Sequence, residues 1–176
     1  MRHGELLPRA RCGDLAAFEL LIEPLIEPGC HLAHTILRDW HEAEDVVQEA
    51  ALKAWRAVPR LHEGTTTIRP WFLTIVANEA RSRKRGRWWS VVRLSESYDR
   101  HSASNIEEQV ILSADLDRAM DRLTDTERLI LFLHFHLDLS LEDVAKVAGL
   151  SQAAAKARMY RALHRLRPAM RTQETW

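Results

Sequence analysis

Trp71, Ile75, Asn78, Ser82 and Arg85 are spaced four, three, four and three residues apart, which places them on one face of an α-helix. A ring, an amide and a cation on one face suit unstacked single-stranded DNA, because rings offer a stacking surface and cations follow the phosphates. Around them Arg81, Arg83, Lys84, Arg85, Arg87 and Arg93 form a stretch without a single acid. Taken without these neighbours, Trp71 would serve as well in a core.

A second basic series, Lys156, Arg158, Arg161, Arg165, Arg167 and Arg171, closes the chain in a different setting. Upstream of it, Thr124–Glu127 reads as a Thr-x-x-Glu capping box before an apolar run, and Ser140–Asp143 repeats that signal before LEDVAKVA. Gly149 supplies a turn, and Ser151 can cap a last helix that runs toward Leu166 and stops before Pro168. Val144, Ala145, Ala148, Leu150, Ala155, Met159, Ala162 and Leu166 would hold two helices across that turn. Gln152, Lys156, Arg158 and Arg161 then remain outward, able to meet phosphates and base edges in a major groove. Short helix, glycine turn and basic helix is the helix-turn-helix pattern; an ordinary helical hairpin with a solvated basic face is the alternative.

The elements that must position these groups are helical throughout. In 176 residues, 46% hydrophobic, there are only 6 Gly and 6 Pro, a composition that suits helix packing better than sheets, and the expectation is an all-α protein of two small domains. Leu15–Leu25 is apolar at helical spacing; Pro24, Pro28 and Gly29 are expected to interrupt it, and Cys30–Arg38 to resume. Glu42–Val58 is an amphipathic helix with Val47, Ala50, Ala51, Ala54 and Val58 on one side and Glu44, Gln48 and Glu49 toward the other; Pro59 ends it. After the polar loop Leu61–Thr67, Thr66 or Thr67 can cap a helix that carries Pro70 in its first turn and runs to about Arg85. Trp88 to about Asn105, with serines between charges, reads as a flexible linker, and an acidic helix opens near Ile106. The expected boundaries are 10–88 for the first domain, 89–106 for the linker and 107–172 for the second domain.

The formal net charge is zero, 25 basic against 25 acidic residues, yet the signs are segregated, the acids gathering at Glu42–Glu49 and Glu96–Glu127. A chain that grips DNA with two patches and a protein with a third surface can be neutral on average. Cys12 and Cys30 make no CxxC pair, which fits a reduced compartment. No apolar run approaches the ~18 residues that span a bilayer, and MRHGELLPRARCGD has no signal-peptide core, so a cytoplasmic protein is expected. His31, His34, His41 and Glu44, or His134 with His136, could be imagined around a metal, and Cys30 stands beside His31. His134 and His136, two apart, should point to different sides, and Cys30 is expected to be a buried, satisfied thiol. With no Gly-rich phosphate loop, nucleophile elbow or HExxH, we expect neither enzyme, metal nor cofactor.

Three runs, EAEDVVQEAALKAWRAV (Glu42–Val58), TTTIRPWFLTIVANEARSRKR (Thr65–Arg85) and LTDTERLILFLHFHLDLSLEDVAKVAGLSQAAAKARMYRALHRLR (Leu123–Arg167), resemble in order regions 2 and 4 of group 4, extracytoplasmic-function, sigma factors of the sigma-70 family. The resemblance covers nearly all the chain from Gly13 to Arg167. It implies a region 2 helical bundle and a region 4 helix-turn-helix, and a protein that binds core RNA polymerase, through its largest and second-largest subunits, recognises −35 and −10 promoter elements and helps melt the latter. Glu44, Asp45, Gln48 and Glu49 match the surface offered to the largest polymerase subunit. Trp71, Asn78, Arg81 and Arg85, with the loop residues His62, Gly64, Thr65 and Thr66, match positions that engage the opened −10 strand and capture a flipped base. His134, Ser151, Gln152, Lys156, Arg158, Tyr160 and Arg161 match those that read the −35 duplex. An anti-sigma factor is a further partner that the family suggests and no residue here bears on. His62 stands where many members have Phe and His134 where an Arg is common. Ala153–Ala154–Ala155 replaces Gly-Thr-Val and Ala157 a Ser, removing hydroxyls that could touch DNA. The rival reading is a LuxR-like helix-turn-helix regulator, for which the acidic helix and the Trp71–Asn78 face would have no use.

Overall fold

The helix starts are set by short polar side chains. In the computed structural model, which describes residues 3–62, 64–65, 67–94 and 122–171, with side chains for 5–62, 64–65, 67–86 and 122–167, Asp14 accepts from the Ala17 N–H at 3.0 Å and Asp39 from the Glu42 N–H at 3.1 Å. These bonds satisfy amides that the first turn of a helix leaves unpaired. They open α2 (Leu15–Leu37) and α3 (Trp40–Ala57); α1 (His3–Arg11) precedes them, and a 3₁₀ turn at Val58–Arg60 leads toward α4 (Arg69–Leu94). A second series holds α5 (Asp125–Leu131), a π-helical turn at Phe132–His136, α6 (Leu141–Ala148) and α7 (Gln152–Arg171). No strand occurs among the described residues, and the all-α expectation holds. The chain divides into two compact units, Met1–Tyr98 and Asp99–Trp176.

In the first unit α2, α3 and α4 pack on one another and α1 covers α2. Leu21, Leu25, Leu32 and Ile36 of α2 meet Val46, Val47, Ala50 and Ala54 of α3 and Phe72, Leu73, Val76 and Ala80 of α4, all buried. Each large side chain so enclosed contributes about 1.5–3 kcal/mol. This packing corrects the expected break at Pro24, Pro28 and Gly29, since α2 runs through all three as one helix. Proline removes one backbone donor and leaves the carbonyl four residues earlier without its partner. Here Leu20 and Pro24, which own those carbonyls, are exposed, so water can take the bonds. Gly29 is buried where an added Cβ would sit 3.4 Å from Val47 Cγ2 and 3.6 Å from Phe72 Cε1, so at this point α2 packs directly against side chains of α3 and α4.

The helix expected to end near Arg85 continues to Leu94, through part of the stretch read as linker. Gly86 costs about 1 kcal/mol against alanine inside a helix, too little alone to end one, and no proline follows in the run. The remainder of the expected linker and the acidic helix near Ile106 lie outside the described residues. Cys30, expected buried, is half-buried; its burial and the nearby charges of Glu44 and Glu27 push the thiol pKa up, which keeps it protonated.

In the second unit both capping signals are in place. Thr124 Oγ1 accepts from the Glu127 N–H while Glu127 Oε2 accepts from the Thr124 N–H at 2.9 Å, and Ser140 Oγ accepts from the Asp143 N–H at 3.1 Å. Gly149, at φ 68°, closes α6 in the left-handed conformation that glycine adopts without steric cost. Val144, Ala145 and Ala148 then bury against Ala155, Met159, Ala162 and Leu166, with Ile130 and Leu133 beneath. The expected stop before Pro168 is corrected, because α7 extends to Arg171. The carbonyl that Pro168 leaves unpaired belongs to exposed His164, again within reach of water.

Candidate nucleic-acid and partner interfaces

The α4 face grades from core to solvent. Trp71 and Ile75 are half-buried, while Asn78, Ser82 and Arg85 are exposed. Trp71 is therefore anchored yet open, unlike Phe72 beside it, which is fully enclosed. Arg81, half-buried, donates from Nη1 to Asn78 Oδ1 at 3.2 Å. Burial, then the charge of Arg85, lowers the Arg81 pKa from its very high ordinary value, leaving it cationic at neutral pH. With the Asn78 Oδ1 engaged by Arg81, its NH₂ group is the end left to face a ligand.

Ahead of α4, the Gly64 N–H donates to His62 Nδ1 at 3.0 Å and the Thr65 N–H to the His62 carbonyl at 3.0 Å. The exposed imidazole is thereby oriented, and with Nδ1 accepting, its proton sits on Nε2. A Cβ at Gly64 would lie 3.2 Å from His62 Nδ1, so the small residue is part of that arrangement. Gly64 is exposed and Thr65 half-buried; Thr66 lies outside the described residues.

On α3, Glu44, Asp45, Gln48 and Glu49 are all exposed, opposite the buried Ala43, Val46, Val47 and Ala50. These acids are more than a solvated face. Arg83 of α4 donates to Glu49 Oε1 at 2.8 Å and approaches Asp45 Oδ2 to 4.0 Å, and Lys53 meets Glu79 at 2.5 Å. Beside them α2 and α3 leave an open apolar groove of about 710 Å³, with Phe18, Ile22, Leu52 and Trp55 in its lining and Gln48 at its edge. Leu15 and Leu52, both in the groove, are more than half exposed. Sequence reasoning missed it; the available signal was Leu52 among the polar positions of α3.

On α7, Ser151, Gln152, Lys156, Tyr160 and Arg161 are exposed and Arg158 is half-buried. Ser151 Oγ accepts from the Ala154 N–H at 3.2 Å and starts the helix. The orientation of α7 rests on a residue that the sequence suggested only as a cap. Glu127, 4% exposed, accepts from Arg165 Nη1 at 2.7 Å while it completes the Thr124 capping box. Burial pushes its carboxyl up, but hydrogen bonds from the Thr124 N–H and hydroxyl and the charges of Arg165 and Arg161 outweigh that, so its pKa lies below the ordinary value.

His134 is occupied within the fold. Its Nδ1 is 2.8 Å from the Leu139 carbonyl; a carbonyl only accepts, so Nδ1 carries the proton and the ring pins the turn into α6. His136 stacks on Phe132 with centroids 4.9 Å apart, so the two histidines are engaged separately. His34 stacks on Trp40 at 4.4 Å and His31 meets the same indole edge-on at 5.1 Å. Burial, aided by the charges of Arg38 and His31, lowers the His34 pKa. Among the described residues no three His, Cys, Asp or Glu side chains gather as metal ligands, and no helix is long and apolar enough to cross a membrane.

Comparison with known proteins gives two family matches in order, Sigma-70 region 2 over residues 22–90 and Sigma-70, region 4 over residues 119–168. The RNA polymerase sigma factor SigV of Bacillus subtilis is 30% identical over 140 residues, covering 77% of this chain and 80% of that one. The ECF RNA polymerase sigma factor SigE of Mycolicibacterium smegmatis is 29% identical over 165 residues, 88% of this chain and 63% of its own length. In fold, the chain is similar to the sigma factor RpoE solved with the anti-sigma factor NepR from Bartonella quintana, with a TM-score of 0.73 at 24% identity over 88% of this chain and 96% of that one. It is likewise similar to CnrH solved with the cytosolic domain of CnrY, with a TM-score of 0.68 at 20% identity, over 97% and 99% of the two chains.

Proposed function

This chain belongs to the sigma-70 family, in its extracytoplasmic-function group, and from that premise we propose how its residues select and open a promoter. Glu44, Asp45, Gln48 and Glu49 on α3 dock on the largest subunit of core RNA polymerase. The loop from His62 to Thr66 and the α4 face of Trp71, Asn78, Arg81 and Arg85 hold the unpaired −10 strand. α7 enters the −35 major groove, with α6 across the backbone.

The observation that carries this reading is the union, in one helical unit, of an acidic face on α3 with a ring, amide and cation face on α4. Opening a duplex requires something that binds the separated strand better than the paired one. A half-open indole at Trp71 offers a stacking surface that only an unstacked base can use, worth about 1–3 kcal/mol per base. The Asn78 NH₂ donates to base or sugar acceptors, His62 Nε2–H to a base turned into the loop, and Arg81 and Arg85 neutralise phosphates. On α7, Gln152 suits the paired acceptor and donor of adenine, and Lys156 and Arg161 suit guanine or phosphate. Ala153, Ala154 and Ala157 add no hydroxyl, so −35 selectivity falls on Gln152, Lys156 and Arg161, with Ser151, Arg158 and Tyr160 at the margins. His134, held by Leu139, contributes through the position of the turn and its remaining ring nitrogen.

In this proposal the first domain runs from about residue 10, the second ends near residue 172, and the linker lies between α4 and the second domain. The chain supplies no catalytic residue; nucleotide addition is the polymerase's own. It works where the polymerase is, in the cytoplasm, and an anti-sigma factor, as RpoE has in NepR, completes the set of proposed partners.

Purified core polymerase and the full chain, mixed and recovered on an affinity tag carried by core, test the reading against its rival. Retention with core supports it. Binding to duplex DNA without retention would favour a LuxR-like regulator instead.

A further inference from the structure

Arg83 lies on α4 with its guanidinium turned to α3. Nη2 donates to Glu49 Oε1 at 2.8 Å and Nη1 stands 4.0 Å from Asp45 Oδ2. One turn earlier Glu79 receives Lys53 of α3, so two cross-helix ion pairs of opposite sense run along the seam. They differ in openness. The Glu79 side chain is 17% exposed, whereas Glu49 is 51% and Asp45 66% exposed, leaving the last two accessible to a second cation. Arg83 adjoins Ser82, one position round the helix from the face of Asn78 and Arg85.

We propose that Arg83 exchanges its counter-ions when polymerase docks. In the free protein it neutralises Glu49 and Asp45. A cation on the docking subunit takes over these carboxylates, and the guanidinium turns to the phosphates of the unpaired strand. This inference rests on the proposed function, since it takes α3 as the docking face and α4 as the strand-holding face. An ion pair this open to water biases an equilibrium by only about two- to five-fold, so a partner that buries the acids can displace it. The Glu127–Arg165 pair, whose carboxylate is enclosed although its guanidinium is exposed, could not be traded in this way. The exchange couples the two faces: strand binding is weakened until the acids are engaged.

The test is fluorescence anisotropy of a labelled thymidine oligonucleotide titrated with the full chain at several KCl concentrations. Glu49→Gln alone should bind about two- to five-fold tighter than wild type, with a log–log salt slope steeper by about 0.7 for the released cation. In an Arg83→Gln background the same change should do nothing, and that non-additivity is the mark of exchange. With saturating core, Arg83→Gln should weaken strand binding more than it does in the free protein. An equal gain from Glu49→Gln in both backgrounds would reduce the effect to lost repulsion and overturn the inference. No gain in either would make the pair a plain tie between helices and overturn it equally. Circular dichroism melts confirm folding, and Asp45→Asn repeats the cycle should Glu49→Gln not fold. Failure of wild type to bind core is a separate result, which removes the proposed docking face whatever the cycle shows.

Discussion

Trp71 has part of its ring against the protein and part open, and that division decides what replacing it should do. Trp71→Ala should lower promoter opening by about five-fold or more, as expected from losing one stacked base at 1–3 kcal/mol, and Asn78→Ala should lower it through the lost amide donor, by about two- to ten-fold, while core binding stays within about two-fold in both. Permanganate reactivity of unpaired thymines alongside a core pull-down checks both halves; joint loss of the two would make this face structural. Arg161→Glu on exposed α7 should weaken −35 duplex binding and flatten its salt slope by about 0.9 for each phosphate no longer neutralised, read by anisotropy in a salt series. The exposure of Asn78, Gln152, Lys156 and Arg161 could be read from helical spacing alone, because each depends only on its own helix. Arg83 with Glu49, and Arg165 with Glu127, are 34 and 38 residues apart in sequence. No local pattern announces such pairs, and the same is true of His134 reaching the Leu139 carbonyl across an irregular turn.

The caps and turn at Thr124, Ser140, Gly149 and Ser151 were legible at the level of elements, since each acts on backbone groups within a few residues of itself; the caps at Asp14 and Asp39 are equally local and went unread. The prolines of α2 and α7 were not legible, because a local helix-breaking rule competes with burial contributed by other helices, and burial wins where the unpaired carbonyls reach water. Gly29 gives this a measurable form. Gly29→Ala should be close to neutral, its Cβ at ordinary contact distance from Val47 and Phe72, whereas Gly29→Leu should cost about 1–3 kcal/mol by overpacking in a urea melt. Glu127 gives another. Its folded pKa is depressed, so its contribution is present above the unfolded value, about 4.3, and disappears as pH falls through the folded value. Glu127→Gln should therefore destabilise the second unit by about 1–3 kcal/mol near neutral pH and by progressively less in acid, as chemical denaturation at pH 7 and pH 3 would show. An unchanged difference across that range would mean that the charge of Glu127 does not hold α7.

A neutral chain with segregated charge suits a protein that must meet an anion and a polymerase surface at once. Two helical units that each bind weakly can together place one polymerase on one promoter, since tethering turns the second contact into an intramolecular event. The family, and the order of its two regions, were legible because the motifs lie within single helices; the groove between α2 and α3 was not, because it exists only once two helices have packed. The most direct measurement is reconstituted run-off transcription, with purified core and this protein, from a pooled library of promoter fragments. The expected result is transcripts that appear only when the protein is added and whose templates share two motifs at fixed spacing upstream of the start. Active core that yields the same transcripts with and without the protein would contradict it.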